Sequence, residues 1–121
     1  MSGSHAAGAA ELRTALSLDP FHPPFWRGTL GRALLLAGQH REALEELERC
    51  RSEAPDYRPC HSSLLVAYVE TGRPEAAIQA ARDYLRLRPG FTLQDYDGVF
   101  GFSQASDTNR FLTAFKAAGL R

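Results

Sequence analysis

The stretch TLGRALLLAGQHREALEELERCRSEAPDY, Thr29 to Tyr57, decides the fold when it is set beside SLLVAYVETGRPEAAIQAARDYLRLRPGF, Ser63 to Phe91. The two share one register. Leu30 matches Leu64, Gly38 matches Gly72, Ala43 matches Ala77, Leu44 matches Ile78 and Pro55 matches Pro89, each pair 34 positions apart. Apolar residues recur at helical spacing inside each unit: Leu30, Leu34 and Ala37, then Ala43, Leu44, Leu47 and Cys50 in the first. The second has Leu64, Leu65 and Tyr68, then Ala77, Ile78, Ala81 and Leu85. Each unit therefore predicts two amphipathic helices.

The residues between the helices fit that reading. Gly38 and Gly72 stand where a first helix has to end, because glycine enters the left-handed region without a Cβ clash. Pro74 suits the first turn of the following helix, where a missing N–H costs nothing. Ala43 and Ala77 are small where paired helices approach. Pro55 and Pro89 stop the second helices.

A period of 34 residues with this punctuation resembles the tetratricopeptide repeat. The resemblance implies an all-α fold, a right-handed α-α superhelix with a C-terminal capping helix, forming a single domain over residues 1–121. It places one repeat at 24–57 and another at 58–91. The family's usual tryptophan is displaced by one position to Trp26, and its usual first-helix glycine, present as Gly31, is replaced by Leu65.

Upstream, residues 6–20 resemble the second helix of a partial repeat, with Leu12, Ala15 and Leu16 on one face and Pro20 closing it. Its partner helix is missing, which suggests the tail of a longer solenoid. The uncovered face predicts self-association through Leu12, Ala15 and Leu16, and a homodimer is the simplest closed solution. The run DPFHPPFW, Asp19 to Trp26, then reads as a joint between repeats rather than a polyproline ligand.

After Phe91 the repeat pattern fails. Residues 92–121 hold a short helical candidate, Thr92 to Tyr96, and a glycine-interrupted aromatic stretch with Phe100 and Phe102. A capped helix follows, with Ser106 or Asp107 as N-cap, Phe111, Leu112, Phe115 and Ala118 on one face, and Gly119 as C′. It is expected to cover the last repeat's open apolar edge. LRLRPGF together with RFLTAFKAAGL also resembles C-terminal tails of bacterial tetratricopeptide proteins, including ones fused to class III adenylate or guanylate cyclase-like domains. No cyclase catalytic segment occurs in this chain. That resemblance implies an alternative role as the regulatory segment of a multidomain bacterial enzyme, without activity of its own.

Composition narrows the function classes. The 14 basic and 14 acidic residues among 121 give no basic footprint for nucleic acid. No apolar run approaches the roughly 18 residues of a membrane span. The start MSGSHAAGAA lacks the parts of a secretory signal, which places the chain in the cytoplasm. Cys50 and Cys60, outside any C-x-x-C arrangement, are expected to be reduced and to act as small apolar residues.

Cys60 and His61 are neighbours on a helix and point about 100° apart, so they cannot form a nucleophilic dyad. His40, Cys50, Cys60 and His61 lack zinc-ligand spacing, and His40 is expected to be exposed in a turn. No phosphate-cradling loop or nucleophile elbow occurs. The reading is therefore non-enzymatic, with no metal and no cofactor, and the partner expected is a protein or peptide.

The family resemblance also implies where that partner would sit. First helices of successive repeats line a concave groove, which here would expose Phe25, Gly28, Arg32, Leu35 and Leu36, then Pro59, Ser62, Val66, Val69 and Glu70. Some family members bind a terminal carboxylate through lysine and asparagine at these places. Gly28 and Ser62 stand where the lysines would be, and Arg32 and Val66 where the asparagines would be, so the clamp is not matched. An apolar groove is expected instead.

Overall fold

The structure, a computed structural model, describes residues 8–11, 13–14, 24–93 and 105–121. Two antiparallel helix pairs lead the described chain, α1 Pro24–Leu36 with α2 His40–Glu53, and α3 Arg58–Glu70 with α4 Pro74–Leu87. A further helix, α5 Ala105–Ala117, follows them, and residues 8–11 and 13–14 are helical as well. The fold is an all-α helical-repeat superhelix. No strand occurs among the described residues.

Each pair turns on its glycine. Gly38 has φ +83° and Gly72 φ +73°. Around Gly38, the Gln39 N–H donates to the Leu34 carbonyl at 2.9 Å and the Gly38 N–H to that of Leu35 at 3.0 Å. Around Gly72, Arg73 and Gly72 repeat the pattern on Tyr68 and Val69 at 2.8 and 3.2 Å. These are Schellman caps, which satisfy carbonyls that a helix end would otherwise leave open. A Cβ at either glycine would meet nothing within 4 Å, so backbone conformation alone demands glycine there.

Inside a pair, volume is exchanged between facing helices. A Cβ on Gly31 would lie 2.5 Å from Leu47, whose side chain is fully buried over it. At the matching positions of the second pair the sizes are reversed: Leu65 is on the first helix and Ala81 on the second, both buried. The replacement of the glycine at 65 is thus offset by an alanine at 81, in keeping with cores that fill space to near crystal density.

Two features of the apolar faces differ from the sequence reading. Ile78 and Leu85, expected in the core, are 41% and 36% exposed, while Ala77, Ala80, Ala81 and Tyr84 are buried. In the first pair the matched face of α2 lies against α3: Leu44 is buried, and the Tyr68 O–H donates to Glu48 at 2.6 Å. On α4 the same face has no such helix over it. Cys50 and Cys60, expected to be free thiols, are bonded to each other across a Cα–Cα distance of 5.8 Å. The corner between α2 and α3 brings them together, and both are inaccessible.

The C-terminal helix caps the repeats from another side. Its first turn contains Ser106 and Asp107, so neither is the N-cap expected for it. Gly119 closes it at φ +95°, with Leu120 and Gly119 donating to Phe115 and Lys116, both at 3.0 Å. Phe111 and Phe115 are fully buried. Phe115 packs edge-on against Tyr84 and Phe91, at ring-centroid distances of 5.7 and 5.9 Å. The backbone of α5 runs close to α3 rather than to α4.

Of the N-terminal calls, Leu12, Ala15 and Leu16 lie outside the described residues, as do Phe100 and Phe102 and most of Thr92–Tyr96. Ala9 is buried in the same core as the repeats, and Arg13 pairs with Glu42 at 2.8 Å.

Two stability predictions come from this packing. Gly31→Leu is expected to destabilise the chain by more than about 1 kcal/mol through overpacking. Adding Leu47→Ala, which installs the arrangement of the second pair, should recover part of that loss in a double-mutant cycle. Additive midpoints in denaturant would contradict the volume exchange. Reduction of Cys50–Cys60, which closes a loop of sequence separation 10, is expected to cost about 2–3 kcal/mol. Cys50→Ser should lose a similar amount and stop responding to dithiothreitol.

Candidate functional site: the face of the first helices

The sequence-derived groove positions do fall on α1 and α3, the two first helices, which pack side by side. Their exposure differs from expectation. Leu35 and Val66 are fully inaccessible, Ser62 is 2% and Leu36 8% exposed, and Gly28 is buried. Arg32 and Val69 are half-buried and Pro59 is exposed. Phe25 is placed in α1 by its backbone, and its side chain lies outside what is described. Leu35, Leu36 and Val66 belong to the same apolar cluster as Phe111 and Phe115 of α5. Most of the face is therefore buried, and α5 packs along α3 as part of the same core.

One arginine of α5 reaches across both first helices. The Arg110 guanidinium donates to the Leu35 carbonyl at 2.8 Å and to the Leu36 carbonyl at 3.4 Å, at the end of α1. It also donates through two nitrogens to both carboxylate oxygens of Glu70, at the end of α3, each at 2.5 Å. Such a fork-on-fork pair fixes direction as well as charge. Neither α1 nor α3 carries a basic residue in its own last turn. Arg110 thus supplies to two helix C-termini the cation that each lacks, where the helix dipole favours positive charge.

His40 completes the cluster. Its Nε2 lies 2.9 Å from Glu70 and its Nδ1 3.2 Å from the Gly38 carbonyl, so it is engaged rather than free in the turn. Burial pushes the Glu70 carboxyl up, and the hydrogen bonds from Arg110 and His40 outweigh it. The net pKa lies below the ordinary glutamate value. Burial, with the hydrogen bond to Glu48, raises the Tyr68 hydroxyl.

The other polar groups considered in the sequence are spent on structure. Cys50 and Cys60 hold each other, and the buried His61 lies 2.7 Å through Nε2 from the Pro55 carbonyl. Arg27 ties α1 to α2 through Glu46 at 2.6 Å and Glu53 at 3.0 Å. Among the described residues no three His, Cys, Asp or Glu side chains gather as a metal site. None of the described helices is long and apolar enough to cross a membrane.

A family model described as tetratricopeptide repeat matches residues 34–94, half of the chain. The chain belongs to the tetratricopeptide-repeat family. No curated protein matches it. The family match spans the end of α1 through α4 and stops before α5, so the likeness of the tail to cyclase-fused tetratricopeptide proteins rests on sequence alone. Tetratricopeptide repeats generally serve as protein-interaction modules, and the face of their first helices is the surface in question here.

The carboxylate clamp known from some tetratricopeptide proteins has no room at these positions. A Cβ on Gly28 would lie 3.2 Å from the Tyr57 ring and 3.5 Å from the Cys50 sulfur. Ser62 points its hydroxyl back to the Pro59 carbonyl at 3.2 Å, and Val66 is sealed in the core.

Arg110 was missed in the sequence because it lies 75 positions from Leu35 and belongs to no repeat. The one available signal was the absence of a basic residue in the last turns of both first helices. The lowered Glu70 pKa gives a signed prediction. Its stabilisation is complete above the ordinary glutamate value and is lost as pH falls through that value toward the depressed folded one. Urea midpoints measured from neutral pH downward should fall more steeply for the wild type than for Glu70→Gln. Parallel curves would mean that the carboxylate contributes nothing.

Proposed function

We propose that this chain is a non-enzymatic protein-interaction module whose α1–α3 face takes a peptide or helix of a partner. The carrying observation is that this face already accommodates a helix from outside either repeat. Apolar side chains provide the contact area, and the Glu70 carboxylate with the Leu35 and Leu36 carbonyls provides the polar anchor. Those are the ingredients of helix-in-groove recognition.

A second reading, self-association, is favoured by the exposed Ile78 and Leu85 on α4. By the repeat register this face would lie under a following first helix, and a second copy of the chain can offer one. It differs from the pairing expected from the sequence, in which the Leu12, Ala15 and Leu16 edges of two copies meet each other about a two-fold axis.

Binding is expected to be indifferent to a free C-terminal carboxylate. Peptides selected on the immobilised chain from a random library should bind equally as acids and as amides. They should lose at least about tenfold with Val69→Glu, which places a charge on the half-buried edge of the face. Carboxylate-dependent binding abolished by Arg32→Ala would contradict the apolar-face reading.

A further inference from the structure

The repeat register states where a continuing helix would lie. Leu44, Glu48 and Arg51 occupy the face of α2 that looks toward α3, with Leu44 buried and Glu48 bonded to Tyr68. Thirty-four positions on, Ile78, Arg82 and Leu85 form the same face of α4, and all three are exposed. A helix whose role was to seal the end of the array would cover them. Instead α5 lies along α3, sets Phe115 against Tyr84 on the buried side of α4 and sends Arg110 to the end of α1, so it runs over the first helices and leaves that face open.

We propose that α5 is an intramolecular ligand of the α1–α3 face, and that the partner of this face is an amphipathic helix of the same chemistry that competes with it. That chemistry is an arginine followed directly by one aromatic residue and by a second four positions later, as in Arg110, Phe111 and Phe115. The arginine is specified by its receptor. The Leu35 and Leu36 carbonyls and the Glu70 carboxylate are all acceptors, and α1 and α3 bring no cation of their own in their last turns. An incoming helix that lacked a cation at this point would take both Arg110 bonds from the Glu70 carboxylate, leaving it His40, and would strip the Leu35 carbonyl back to its bond from Gly38. The apolar part needs the two aromatic positions because Phe111 and Phe115 are the largest side chains that α5 buries.

The proposal rests on the reading of the face as a binding surface, and its test separates the two. The probe is a fluorescein-labelled synthetic peptide of residues 105–121, titrated by anisotropy into the full chain and into the full chain carrying Arg110→Ala. Weakening the resident helix raises the fraction of open face, so the variant should bind the probe about tenfold more tightly than the wild type. A probe that itself carries Arg110→Ala should lose that gain. Equal or undetectable binding by both chains, with helicity retained, would overturn the proposal. Hydrogen exchange on the wild type gives an answer that needs no variant. The amides of α5 are expected to open at lower free energy than those of residues 64–68 in α3, and opening of both at one common free energy would make α5 a permanent part of the core. Library-selected peptides that bind Val69-dependently yet equally to wild type and Arg110→Ala would overturn the competition and leave the binding face standing. Absence of any binder to either chain would remove both readings.

Discussion

Two glycines in the left-handed region set the architecture. At Gly38 and Gly72 the chain reverses within a few residues, and the reversed helix packs against the first one. A β-branched residue at such a φ is strained, and no packing contact could offset it because a Cβ there would meet nothing within 4 Å. Once the turn is fixed, the spacing between helices depends on whether large side chains face small ones. Leu47 over Gly31, and Leu65 opposite the Ala81 position, are two solutions to that one requirement.

The repeat itself was readable because its signals are local. Turn glycines, helix-opening prolines and helical periodicity all act within a few residues, and the helix starts reproduce the 34-residue offset in both pairs. What failed was non-local. Ile78 and Leu85 fit the apolar helical spacing of α4, and periodicity cannot say whether a neighbouring helix exists to cover a given face. The cysteines were taken singly, although Cys50 and Cys60 sit on the two sides of the corner at Pro55 where α2 hands over to α3.

The candidate site shows the same division. The register puts its positions on the first helices, but says nothing of the state of the face. Whether such a face is open depends on neighbours from far along the chain, such as α5, whose own pattern says only that one side is apolar. Apolar periodicity gives a helix a face without giving it an address. The address here is polar: a guanidinium has to find carbonyls and a carboxylate together, and the ends of α1 and α3 are where the described chain offers them.

That division between apolar area and polar address also sets how selective the face can be. A helix carried on the same chain acts at an effective concentration on the order of millimolar. A partner present at micromolar levels therefore has to bind the open face roughly a thousandfold better than α5 does in order to replace it. Apolar surface alone does not give that margin, because α5 already buries two phenylalanines and any amphipathic helix can bury similar area. The margin has to come from surface that is still open beside α5, such as the exposed Pro59 and the accessible part of Val69 at the edge of the face. An occupied face thereby rejects generic hydrophobic helices and admits a partner that matches the arginine site and extends beyond it, a difference of affinities obtained by making the wrong partner compete.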